Sequence, residues 1–182
     1  MPFRQVVMSG LIDAFEANAR ESAATVERIT GSPAAVRAAV RSAVKDLPAI
    51  VLGPGEFLPS EIMNALVELP GLIQEPSDEM LSTADAGISS AFAGIASSGS
   101  VCVAMGPPLA AAASLLMPLH IVLLCASRIV ERPRDLFSPT CLGGEGFLRN
   151  LVLITGPSAT ADMGPLVRGV HGPHQLRIFV LE

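Results

Sequence analysis

The stretch "VCVAMGPPLAAAASLLMPLHIVLLCA", Val101 to Ala126, decides the fold. Taken whole it is long enough to cross a bilayer, which needs about 20 apolar residues in one helix. Gly106-Pro107-Pro108 and Pro118 divide it. Proline lacks the N–H that a helix interior uses and collides with the preceding turn, so no single helix runs through. Each remaining piece has the length of a buried strand or a short helix. The reading is strand, helix, strand inside a core: "VCVAM", "PLAAAASLLM" and "LHIVLLCA".

Working outward, the same alternation continues. "AIVLG", Ala49 to Gly53, is a short buried strand closed by the turn "GPGEFLPS". Ser60 opens a helix reaching Leu69, a short strand is expected near Leu72 to Gln74, and Ser77-Asp78-Glu79 caps another helix with acids in its first turn, where the helix dipole favours them. "FAGIASSGSVCV" reads as two strands joined by a Ser-Ser-Gly turn. Past Ala126 come "ERPRDLF", the glycine-rich "CLGGEGF", the strand "NLVLIT" and the C-terminal strand "QLRIFVLE". Upstream, Leu11, Ile12, Phe15, Ala19, Ser22, Val26 and Ile29 recur at helical spacing, which predicts one amphipathic helix ending near Gly31. Ser32-Pro33 then caps a second helix, with Val36, Val40, Val44 and Leu47 on its apolar face and Arg37, Arg41 and Lys45 on the other.

Short apolar strands alternating with helices predict an α/β domain: an open, mostly parallel sheet flanked by helices, with a small antiparallel hairpin. Residues 1–48 are expected as an N-terminal helical arm packed on an α/β core of residues 49–182, one structural domain overall. Half of the chain is hydrophobic and 16% is charged, which excludes a disordered chain. A formal net charge of −5 with only 12 basic residues argues against a nucleic-acid surface. Asp13 and Glu16 interrupt any leader-like apolar run, so a cytoplasmic protein without membrane insertion is expected. Cys102, Cys125 and Cys141 lack Cys-x-x-Cys spacing and read as reduced core residues, since a cluster held by this chain alone would need four thiolates. His171 and His174 are a weak pair for a metal, and none is expected. A dinucleotide fingerprint is missing as well, so no cofactor is expected in this chain.

The polar functional candidates gather in "ITGPSATADMGPLVRGVHGP", Ile154 to Pro173. In open α/β sheets ligands collect beyond the carboxyl ends of strands. A strand "LVLI" followed by Thr155-Gly156-Pro157-Ser158 suits that position, with Gly156 admitting a ligand to the backbone and Ser158 and Thr160 offering hydroxyls to an anion. The alternative is a plain strand-to-helix turn. Asp162 either accepts a ligand hydroxyl or caps a turn, and His171 either faces the pocket or fixes its own loop. His120 opens an apolar strand and is expected as a hydrogen-bonded core residue.

The block from Ile154 to Leu181 resembles the C-terminal signature of the lactate-utilisation (LUD) domain family, in its cluster-free (LutC/YkgG-like) type. "ADAGISSAFAGIASSGSV", "LLMPLHIVLL" and "SRIVERPRDLF" are similar to further motifs of that family in order and spacing, so the likeness spans about Ser82 to Leu181. The resemblance implies a sugar-isomerase and CoA-transferase (NagB/RpiA/CoA transferase-like) fold. It also implies a role as an accessory subunit of an assembly that oxidises L-lactate to pyruvate, whose partner subunits carry the iron–sulfur clusters. A small anion or carboxylate pocket would be formed by Thr155, Gly156, Ser158, Thr160, Asp162 and His171. Ser97 stands where the family often has glutamate and Ala159 where many members have arginine, which weakens any anion clamp. The other classes that fit are a stand-alone enzyme on a small phosphorylated or acyl substrate, and a non-catalytic ligand-binding or scaffold protein. Homo-oligomerisation is compatible with all three.

Overall fold

The computed structural model describes residues 2–106, 108–138, 141, 150–160 and 165–182. Val101 to Ala126 resolves as expected: strand β5 (Ser100–Ala104), helix α5 (Pro108–Leu115) and strand β6 (Leu119–Cys125). Among the described residues no helix is long and apolar enough to cross a membrane.

The main sheet has five parallel strands in the order β1-β11-β6-β3-β2, where β1 is Thr25–Ile29, β2 Ile50–Leu52, β3 Ala86–Ser90 and β11 Gln175–Leu181. Its inner strands are buried on both faces, which is why they read as continuous apolar runs. One face is covered by α2 (Pro33–Ala43) and α3 (Ser60–Leu66), whose Val36, Val40, Ile62 and Leu66 pack on Ile50, Ile88, Ile121, Leu123 and Phe179. Ser32 caps α2 through the amide of Ala35, and Ser77 caps α4 (Asp78–Thr83) through that of Met80, as their positions predict. Near Leu72 only an isolated parallel bridge to Ile50 forms.

The other face carries α5 and a second, four-stranded sheet in the order β7-β4-β5-β8, with β4 at Ala93–Ile95, β7 at Ile129–Val130 and β8 at Leu151–Ile154. The expected hairpin is β4–β5. Alternation along β5 sends Val101 and Val103 toward Val122, Leu124 and Ile178 of the main sheet, and Cys102 outward against Phe92 and Leu136. Gly87 of β3 lies directly under α5, because a Cβ there would overlap the carbonyl oxygen of Ala113.

The N-terminal segment departs from expectation. Helix α1 (Pro2–Glu21) stops ten residues short of Gly31, and Thr25–Ile29 is the edge strand β1, paired in parallel with β11. The helix ends in a Schellman motif: Ala23 takes a left-handed φ of 67°, its amide bonds Arg20 O, and the amide of Ala24 bonds Ala19 O. Glycine is the usual residue at that point, so alanine there leaves no signal in the sequence. Val26 and Ile29, spaced like helix neighbours, sit instead on the two faces of a strand. The chain before residue 48 thus supplies an integral sheet strand, further tied to α1 by Arg28 bonding Asp13 and Glu16.

Candidate functional site

The loop after β8 does not occupy the position its sequence suggests. β8 belongs to the second sheet, antiparallel to β5, so Thr155 follows neither a main-sheet strand nor precedes a helix. It leads into a small antiparallel hairpin of β9 (Ala159–Thr160) and β10 (Val167–Arg168). A strand-helix alternation read along the chain cannot reveal which of two sheets a strand joins.

The pairing of β8 with β5 brings two distant sequence blocks together. Ser98 Oγ lies 2.7 Å from Ser100 Oγ, which in turn lies 2.7 Å from Thr155 Oγ1. These three hydroxyls hold three O–H donors but make two mutual contacts, so one donor remains for a further acceptor. Ser100 is buried in the middle, whereas Thr155 is exposed at one end. Both turns flanking this chain need glycine. Gly99 and Gly156 have φ of 65° and 69°, and a Cβ on either would overlap backbone at the C-terminal end of α1, at Ala19 and Ser22 respectively. Asn18 adds a 2.7 Å bond from Nδ2 to Ala96 O. Gly156 therefore admits a neighbouring chain segment rather than a ligand, and the end of α1 is the platform that aligns both turns.

Ser158 and Thr160 are half-buried, and His171 is exposed. Ser158 is held by its backbone: its amide bonds Pro173 O and its carbonyl accepts from Gly169 N, which sets it beside Gly172 and hence next to His171. Thr155 and Ser158 thus serve different neighbourhoods. Asp162 lies outside the described residues. Ala159 pairs directly with Arg168 across the hairpin, so an arginine is the cross-strand partner of the position where the sequence pattern lacks one.

His120 is the core histidine that its apolar strand predicts, but among the described residues only one of its two ring nitrogens is bonded. It is fully buried, with Nε2 2.8 Å from Ser89 Oγ, but Nδ1 has no partner among the described residues. Burial pushes its pKa down to about 3, so the ring is neutral. With the proton on Nε2 donating to Ser89, only a lone pair at Nδ1 goes unmet. This Ser–His pair is no nucleophile, because both side chains are sealed from solvent.

At the carboxyl end of the main sheet the structure places Arg128, which sequence reading passed over. Its Nη1 donates to Phe92 O at 3.2 Å, and its guanidinium lies 5.4 Å from the Phe57 ring centre and 6.0 Å from that of Phe92. Burial raises the Cys102 thiol to about 11, with Cys141 adding to the effect, and burial also raises Cys125 and Cys141. Among the described residues no group of three His, Cys, Asp or Glu side chains converges on a metal position.

A five-stranded parallel sheet backed by a second sheet, with a hydroxyl chain linking the β4–β5 turn to the β8 loop, defines an α/β domain whose two polar motifs meet in space. A DUF162 family protein of Deinococcus radiodurans has this fold: its crystal structure aligns with a TM-score of 0.71 at 20% identity, over 96% of this chain and 98% of that one. Residues 61–181 match the LUD domain, and the chain belongs to that family. An uncharacterized protein of Neisseria meningitidis serogroup B is 34% identical over 104 residues, which are 57% of this chain and 45% of that protein. The chain thus matches less than half the length of this curated relative.

Proposed function

We propose that this chain is a cluster-free accessory protein of L-lactate utilisation, working in the cytoplasm with separate subunits that carry iron–sulfur clusters and oxidise L-lactate to pyruvate. Membership of the LUD domain family over residues 61–181 carries the reading. The hydroxyl chain supplies the second element: when Ser98 donates to Ser100 and Ser100 to Thr155, the spare donor is the hydroxyl of the exposed Thr155, which suits one oxygen of a small carboxylate. Thr155, Ser98 and Ser100 form this site, with Gly156 fixing the turn. Ser158, Thr160 and His171 lie further along the same loop.

The test is a lactate-dependent dye-reduction assay with cluster-bearing subunits, run with and without this chain. Activity should require the combination and fall when the chain is omitted. Turnover of L-lactate by the isolated chain would overturn the accessory role.

A further inference from the structure

We infer that the groove beside α2 binds an extended acidic segment of a partner protein. It is a cavity of about 1060 Å³ on the side of α2 that faces the Leu47-Pro48 and Pro70-Gly71 turns, and Arg37, Arg41 and Lys45 all line it. Three of the chain's 12 basic residues are thus concentrated in one groove of a protein whose net charge is −5. Arg37 is already engaged, bonding the Glu68 carboxylate at 2.6 Å and so closing that end against the segment after α3. Arg41 and Lys45 are exposed and have no ion pair among the described residues. Asp46 and Asp85 line a smaller cavity that adjoins the groove at Lys45.

Charge selects the occupant. Arg41 lies in the last turn of α2 and Lys45 in the turn just past its end, so the two cations without an ion pair among the described residues line one groove from successive turns of backbone. An extended segment with more than one acid therefore meets Arg41 and Lys45 together. Its other face meets lining that carries no charge, Leu47, Pro48, Pro70 and Gly71. Charge complementarity gives such a segment orientation and a fast, salt-sensitive encounter. This inference is independent of the lactate reading, because neither cation belongs to the hydroxyl site.

Fluorescence anisotropy tests it, with a fluorescein-labelled peptide of alternating glutamate and valine as probe. The full chain should bind this peptide, and Arg41→Glu/Lys45→Glu should weaken binding by about tenfold or more, as loss of two charge contacts implies. Arg132→Glu/Arg134→Glu, at exposed sites elsewhere, makes the same change in net charge and should leave binding intact. Arg41→Gln/Lys45→Gln repeats the test without charge reversal, and circular dichroism checks that each variant is folded. Equal loss in the groove and control variants would overturn the inference, as would absence of peptide binding. Equally tight binding of tripolyphosphate or a single-stranded oligonucleotide would also overturn it, since the groove would then read charge alone.

Discussion

Acid should destabilise this protein in part through His120. Its folded pKa is about 3, against about 6.5 for an unfolded histidine. The unfolded chain therefore takes up the proton first. Above pH 7 the group contributes no pH dependence; as pH falls from 6.5 toward 3 stability is progressively lost, and below 3 the effect levels off. At pH 4.5 the linkage amounts to about 2.7 kcal/mol, two pH units at about 1.36 kcal/mol each, a large share of the roughly 5–15 kcal/mol that holds a domain folded. Urea unfolding at pH 7.0 and pH 4.5 measures it, comparing the wild type with His120→Gln, which does not titrate in this range and can still meet Ser89. Carboxylate contributions are common to both proteins and cancel in the difference. The wild type should lose about 2–3 kcal/mol more than the variant between the two pH values. Equal losses would refute the reasoning, because they would mean that the ring can be protonated in place.

Gly87→Ala should destabilise the fold by about 1–3 kcal/mol or more, since the new methyl must displace the α5 backbone at Ala113; a urea midpoint unchanged from wild type would show that α5 is not seated there. Thr155→Val removes the exposed end of the hydroxyl chain and leaves Ser100 with one partner fewer. It should cost about 1 kcal/mol of stability and abolish whatever L-lactate or pyruvate binding calorimetry detects in the wild type. Anaerobic incubation with iron and sulfide should give no stable, stoichiometric cluster in the visible spectrum, because the chain has three cysteines without motif spacing where a cluster needs four thiolates; a persistent cluster band would contradict that.

Much of the candidate site was legible as residues but not as an arrangement. Thr155 and the Ser-Ser-Gly turn were each recognisable as polar, glycine-containing loops. Their meeting depends on the antiparallel pairing of β5 with β8, across a sequence separation of 55 between Ser100 and Thr155. Local propensity carries no information about such a partner. Arg128 was passed over for the same reason, since its aromatic neighbours Phe57 and Phe92 are 71 and 36 residues away.

By itself the sequence determined the parts whose physics is local: the proline-divided β5-α5-β6 unit, the serine caps of α2 and α4, the Ser-Ser-Gly hairpin, and central strands apolar enough to be buried on both faces. Tertiary structure decided the rest. The Schellman turn at Ala23 ends α1 without a glycine, so the switch from helix to strand before β1 has no local marker. Assignment of β8 to the second sheet, the burial that leaves His120 Nδ1 unpartnered, and the groove that Arg41 and Lys45 line all arise between elements far apart in the chain. Helix caps and proline breaks act within a turn or two of backbone, whereas strand partnership and burial are fixed only when the whole core packs.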